Sequence, residues 1–134
     1  MARTHDDIER YIVTSGIDYE EAAPGMWLLH HLEWGGAQII IQHTDPLLVF
    51  RCKLFELPKL STEREAALFR RLLQLNATDL VQGAYAIEDQ SVVVVEVLQS
   101  ISLDENEFMA AIDSVTMAIV EHHDELIKLL PNVA

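Results

Sequence analysis

The sequence predicts an α+β fold in which helices pack an antiparallel sheet, within one domain that spans residues 1–134 and is structured over about residues 5–130. Short apolar runs with a period of two, separated by turn residues, indicate strands. Capping motifs and apolar spacings of three and four indicate helices. The predicted order is a helix, a three-stranded meander, a helix, a two-stranded hairpin and a long helix.

The first helix is predicted over about residues 5–15, because Thr4 is a suitable N-cap and Gly16 is a suitable stop. Residues 17–25 are expected to form a polar connection. Three strands follow at about residues 26–33, 37–43 and 47–55. Gly35-Gly36 indicates a two-residue hairpin turn between the first two strands, since both glycines can adopt positive φ.

Alternation with a period of two divides the meander into two faces. The face that holds Trp27, Leu29, Ile40 and Val49 is apolar for a solvated surface. Either a helix or a subunit covers this face, or it is a docking surface for a partner. The core face is expected to hold the remaining large apolar residues and a histidine, namely Met26, Leu28, His30, Leu32, Trp34, Ala37, Ile39, Ile41, Leu48, Phe50, Cys52 and Leu54.

The second half of the chain contains two predicted helices and a hairpin. A capping box at residues 62–65 predicts that helix two begins near residue 63, with an apolar face wider than a single contact needs. Strands are predicted at 84–87 and 92–98. Four consecutive valines suggest that the second of these strands is covered on both sides. A seam from Phe108 to Leu129 predicts a long helix that begins after Asp104 and ends before Pro131.

The charge of the chain restricts its partners. The net charge of −13 argues against binding to nucleic acid, because phosphates would be repelled. No apolar run is long enough to span a membrane, and the polar N-terminus does not resemble a signal peptide, so a cytoplasmic location without a membrane partner is expected. Residues 51–75 carry a balance of +3. This segment is either ordinary surface variation or faces acidic surface in the same chain or in a second copy.

No catalytic or metal motif emerges from the residue pattern, so the chain is expected to be neither an enzyme nor a cofactor-binding protein. His30 and His31 would point to opposite faces of a strand. His122 could bind a metal weakly with Glu121 and Glu125, or it could belong to a solvated acidic helix end. Cys52 lies on an apolar strand face, which indicates a buried and inert thiol.

The passage LFRRLLQLNATDLVQGAYAIEDQSVVVVEVLQSISLDENEF, residues 68–108, resembles the corresponding passage of class I type III secretion chaperones and of YbjN-type proteins. Helix two ends there in leucine-rich sequence and asparagine, and a strand, a hairpin and a valine-rich strand follow. A Leu-Asp step then leads into the last helix. The order of elements extends the resemblance over about residues 5–130, so a type III secretion chaperone-like fold is expected.

This resemblance implies a non-catalytic homodimer that holds an extended segment of a client protein. The residues it implies for the dimer interface are Phe69, Leu72, Leu73, Leu75, Val92 and Val94. The face analysis gives Trp27, Leu29, Ile40 and Val49 as client-binding residues. The alternative is a YbjN-type regulatory or sensory domain that binds another regulatory protein or a small molecule, the latter in a pocket near His122.

Overall fold

The computed structural model describes residues 3–80 and 82–130. It confirms an α+β fold in which helices pack against an antiparallel sheet, with the strand order β1-β2-β3-β4-β6-β5. The elements are α1 (His5–Ser15), β1 (Asp18–Ala23), β2 (Met26–His30), β3 (Gln38–Thr44), β4 (Leu47–Glu56), α2 (Thr62–Thr78), β5 (Ala84–Glu88), β6 (Ser91–Gln99), α3 (Glu105–Met117) and α4 (His123–Ile127). A 3-10 turn, Leu32–Trp34, follows β2, and a π-helical segment, Ala118–His122, joins α3 to α4.

Local capping signals set the helix boundaries. The Thr4 hydroxyl accepts a hydrogen bond from the backbone N–H of Asp7, and Gly16 ends α1 with a φ of 76°, so the predicted limits of this helix are confirmed. Helix α2 begins one residue earlier than predicted, because Ser61 and not Thr62 is the N-cap. The last helix begins after the Asp104 cap, as the sequence indicates.

The polar connection predicted for residues 17–25 is wrong, because it contains strand β1. This strand lies at the edge of the sheet and pairs with β2. Its sequence is DYEEAA, and all of its residues except Tyr19 are exposed. An edge strand without a buried face has no apolar alternation, so the period-two signal is missing from its sequence.

The register of the sheet corrects the face assignment of β2. Trp27 pairs with Ile41, and Leu29 pairs with Ile39, so all four side chains share the core face. Trp27 and Leu29 are 1% and 0% exposed. Their predicted position on the opposite face is therefore wrong. Met26, Leu28 and His30 take that position instead.

The connection between β2 and β3 explains this error. It consists of the 3-10 turn followed by Gly35 and Gly36, both with positive φ, so it is longer than the predicted two-residue hairpin. Trp34 is buried from within the turn, whereas Leu32 is fully exposed. Trp34 is therefore not part of β2, and extending its alternation back into the strand places the side chains of β2 on the wrong faces of the sheet.

The helices contribute to one core cluster on one side of the sheet. The cluster joins helical residues such as Ile12 of α1, Leu72 of α2 and Phe108 of α3 to the inward residues of β2, β3, β4, β5 and β6. Val92 and Val94 belong to it, whereas Val93 and Val95 do not. On the second side of this strand Val93 is only 3% exposed, although no helix of the described residues packs there, whereas Val95 is half-buried, so coverage on both sides holds at Val93 and only in part at Val95.

Candidate protein-binding surfaces

The side of the sheet away from the helices, here called the open face, carries apolar residues outside the core cluster. Leu28 pairs with Ile40 in the neighbouring strand, and Val49 pairs with Val97, so these side chains share one face. Ile40 and Val49 are half-buried by their neighbours within the sheet. The apolar members of the open face include Met26, Leu28, Ile40, Leu47, Val49, Val93, Val95 and Val97.

One end of the open face carries an ion pair. The Arg51 Nε atom on β4 lies 3.4 Å from Glu88 Oε2 on β5, and β6 runs between these two strands. On β6, Arg51 is opposite Val95 and Glu88 is opposite Ser91, so the ion pair crosses over Val93, which lies between them. Val93 is only 3% exposed. On β2, β3 and β4 the apolar side chains of the open face are interspersed with the polar residues His30, Gln38 and Gln42.

The outer surface of α2 is the second candidate for protein binding. Phe69 is half-buried, and Leu73 is 68% exposed. Leu72, Leu75, Val92 and Val94 lie in the core instead, so they cannot meet a second copy without rearrangement of the fold. The residues predicted for a dimer interface are thus divided, and Phe69 and Leu73 alone remain accessible.

Some basic residues of the segment 51–75 form ion pairs with acidic residues of the same chain. Arg71 Nε lies 2.6 Å from Glu125 Oε1, Lys53 pairs with Glu56, and Arg51 pairs with Glu88 as described above. Three other basic residues have no acidic partner within 4 Å in the described part of the chain, namely Lys59, Arg64 and Arg70. Lys59 precedes α2, Arg64 lies in its first turn, and Arg70 lies one turn before Leu73.

His122, which the sequence analysis singled out, belongs to a buried hydrogen-bond network. Its Nε2 atom lies 3.0 Å from Asp79 Oδ2, and its Nδ1 atom is hydrogen-bonded to the Tyr85 hydroxyl. With a neutral imidazole, the Nε2–H group donates to Asp79, and the Tyr85 hydroxyl donates to Nδ1. Burial raises the pKa of Tyr85, which keeps its proton available for this bond. The network joins the end of α2, strand β5 and the π-helical segment.

Two groups could in principle support chemistry, namely a metal site at His122 with Glu121 and Glu125, and the Cys52 thiol as a nucleophile. Both ring nitrogens of His122 are engaged, and Glu125 accepts a hydrogen bond from Arg71. Among residues 3–80 and 82–130, no group of three or more histidine, cysteine or acidic side chains is arranged to hold a metal ion. Burial raises the pKa of the Cys52 thiol to about 12, so this group is a poor nucleophile at neutral pH.

A second histidine contact fastens the start of α1 to the sheet. The Nδ1 atoms of His5 and His43 are 2.8 Å apart, so one of the two must donate and the other must accept. His43 is almost completely buried, and the His5 ring meets Trp27 edge to face. Gly25 completes the contact, because a Cβ atom there would lie 2.7 Å from His5 Cε1.

Protonation of His43 is expected to weaken the fold. Burial, and secondarily the neighbouring His5, lower the pKa of His43, while Asp45 opposes this shift. The unfolded chain then binds the proton more readily, so stability is full above about pH 6.5 and falls as the pH drops below it. Urea unfolding at pH 7.5 and 5.5 should show this loss, with a slope of at most about 1.4 kcal/mol per pH unit.

Two glutamine variants separate this effect from general acid sensitivity. His43→Gln should reduce the loss of stability between the two pH values. His30→Gln, which changes a half-buried histidine on the open face, should leave the loss unchanged. An equal pH response in His43→Gln and the parent protein would contradict the assignment.

A cavity of about 520 Å³ lies beside the π-helical segment. Residues from three parts of the chain line it, namely the β2–β3 connection, strand β4 and the run from Ile119 to Asp124. A small-molecule pocket near His122 is one of the two alternatives that the sequence leaves open, and the cavity lies in this region. The neighbouring His123, and not His122 itself, lines the cavity.

The described residues contain no helix long and apolar enough to cross a membrane.

Curated proteins yield no significant sequence match. One chain of the heterodimeric ExoU–SpcU complex from the type III secretion system of Pseudomonas aeruginosa is similar in fold, with a TM-score of 0.66 and 19% identity over 92% of this chain and 97% of that one. YbjN from E. coli is similar as well, with a TM-score of 0.66 and 15% identity over 93% and 94% of the two chains. The CesT_Tir_1 family model matches residues 1–132, and the chain therefore belongs to this family of type III secretion chaperones.

Proposed function

We propose that this protein is a non-catalytic module that works as a homodimer and holds an extended segment of a client protein on its open face. Membership of a chaperone family supports a protein-binding role, and chaperones of this type perform no chemistry. The observation that carries the proposal is the apolar sheet face that the helices leave uncovered. Apolar area of this kind on a folded protein commonly marks a binding surface.

An extended client segment would place every second side chain against the open face. Leu28 and Ile40 are cross-strand partners on β2 and β3, and Val49 lies on the next strand, diagonal to Ile40, so an extended segment could contact all three. Each square ångström of apolar surface removed from water contributes about 25 cal/mol. The net charge of −13 disfavours an acidic segment, so the preferred client is neutral or basic.

The outer surface of α2 is the proposed meeting place of the two copies. Leu73 supplies an exposed apolar side chain, and Phe69 continues it toward the core. The neighbouring Arg70 has no acidic partner in the described chain, while the sequence outside residues 51–75 carries a balance of −16. A second copy can supply both the apolar contact and the opposite charge.

Client binding is tested with a permanently unfolded and basic model protein, reduced and carboxamidomethylated lysozyme, because the acidic chain disfavours an acidic client. The Ile40→Glu/Val49→Glu variant should bind it at least about tenfold more weakly, because each buried carboxylate would lose its hydration. Ile40→Thr/Val49→Thr should weaken binding less while keeping β-branched side chains in the sheet. Fluorescence anisotropy of the labelled model protein measures the affinity, and circular dichroism verifies the fold of each variant.

The matched control adds the same charge to the far side of the molecule. Val13→Glu/Thr14→Glu changes two exposed positions of α1 and should bind the model protein as the parent does. Unchanged binding in both open-face variants, or equal loss in the α1 variant, would refute the proposed surface.

Self-association is tested by light scattering during gel filtration. The parent protein should have twice the chain mass of 15.2 kDa, and Leu73→Glu should reduce it to that of one chain. Ile101→Glu replaces a similarly exposed aliphatic residue in the loop after β6 and should remain dimeric. A parent protein with the mass of one chain at micromolar concentration would exclude the homodimer.

A further inference from the structure

The cavity beside the π-helical segment has the architecture of a small-ligand site that is separate from the open face. Its volume of about 520 Å³ lies within the usual range for sites of this kind. Trp34 from the 3-10 turn, Leu54 from β4 and Ile119 from the π-helical segment line it, and all three side chains are buried. They provide an apolar floor.

The rim of the cavity carries negative charge that no arginine or lysine side chain neutralises. Glu33 has no basic partner within 4 Å in the described part of the chain, and Asp124 has only the neighbouring His123, at 3.4 Å. Lys53 also lines the cavity, but its Nζ atom is hydrogen-bonded to Glu56 Oε1 at 2.8 Å. The charge that remains at the rim therefore attracts a cation and repels an anion.

We infer that this cavity binds a small organic cation, an amine or a guanidinium group on a short apolar stem. The stem would lie on the floor formed by Leu54 and Ile119, and the charged head would lie between the carboxylates of Glu33 and Asp124. The indole of Trp34 adds an aromatic surface that suits a cationic group. A metal ion fits less well, because no group of three ligating side chains forms within residues 3–80 and 82–130.

Calorimetry at low ionic strength tests the inference with defined probes. 1,4-Diaminobutane represents a free amine, and N-acetylarginine amide represents a basic side chain of a protein. Their neutral counterparts are 1,4-butanediol and N-acetylglutamine amide. The cationic probes should bind and the neutral ones should not, and binding should weaken as salt is added. Binding of the diamine alone identifies free amines as the ligand class, whereas binding of the arginine derivative identifies a protein side chain.

Charge-neutralising variants locate the site. Glu33→Gln and Asp124→Asn should each weaken binding by about fivefold, as expected for one ion pair near the protein surface. Glu121→Gln removes the same charge from an exposed position that does not line the cavity, and it should bind as the parent does. Val120→Trp should block binding, because this partly exposed residue lines the cavity.

Two results would overturn the inference. The first is no heat from either cationic probe at concentrations up to about 10 mM. The second is equal weakening by Glu121→Gln and Asp124→Asn, which would indicate general attraction to an acidic surface. The open-face variant Ile40→Thr/Val49→Thr should bind the cations normally, so failure of this site and failure of client binding are distinguishable.

Discussion

Replacing Trp27 with alanine is expected to lower the free energy of unfolding by about 3–5 kcal/mol. The indole is 1% exposed and lies on the core face of β2, opposite Ile41 and in edge-to-face contact with His5. Its removal leaves a cavity that the surrounding sheet and helix can fill only in part. Small domains unfold with only about 5–15 kcal/mol, so urea unfolding should show a large shift of the midpoint.

The neighbouring residue is the matched control, because it points to the other side of the same strand. Leu28→Ala removes a half-buried side chain from the open face and should cost no more than about 1 kcal/mol. A larger loss in Leu28→Ala than in Trp27→Ala would reverse the assignment of the two faces. The pair thus tests the register of β2 directly, without any knowledge of a client.

Replacing His122 with leucine should lower the free energy of unfolding by about 2–3 kcal/mol. Leucine fills much of the space of the imidazole but accepts no hydrogen bond. The buried Tyr85 hydroxyl then loses its partner, whereas the partly exposed Asp79 carboxylate can turn to water. The cost therefore arises mainly at Tyr85, and urea unfolding near pH 7.5 measures it.

A second substitution should recover much of this loss. Tyr85→Phe in the His122→Leu background removes the unpaired hydroxyl, and the double-mutant cycle should give a coupling energy of about 1–3 kcal/mol. His123→Leu is the control, since this half-buried neighbour touches neither Tyr85 nor Asp79 by a hydrogen bond. A coupling energy near zero would mean that the Tyr85–His122 contact contributes nothing to stability.

The helix boundaries could be predicted from the sequence because their causes are local. Thr4, Gly16 and Asp104 act on backbone groups within a few residues, so the signal is complete in a short stretch of sequence. Strand β1 gives no such signal, because pairing with β2 alone makes it a strand. Its exposed edge position leaves no apolar pattern to detect.

The faces of β2 could not be predicted from alternation alone. Period two shows that Trp27 and Leu29 share a face, but not which face the helices cover. That choice depends on pairing with β3 and on a connection whose length the Gly35-Gly36 signal understated. Ile40 and Val49 were assigned correctly to the face opposite the core, because their face of β3 and β4 also carries Gln38, Gln42 and Arg51, whereas the other face is apolar except for His43.

The His122 hydrogen-bond network and the cavity could be predicted from the sequence only in part. His122 stood out as a histidine in an apolar seam, but its partners Asp79 and Tyr85 lie about 40 residues earlier on other elements. No local pattern could join these three residues. The cavity depends in the same way on distant segments, and the glycine pair at its rim resembled only a turn.

The Arg51–Glu88 ion pair has a consequence for the behaviour of the protein at high concentration. Flat apolar sheets tend to stack on one another, and such stacking begins aggregation. A second sheet that approached the β5–β6 end would have to remove the water from both charges without supplying new partners, which is costly. The ion pair is therefore expected to oppose the face-to-face stacking of whole molecules, while leaving the open face on β2 and β3 accessible to the client segment proposed above.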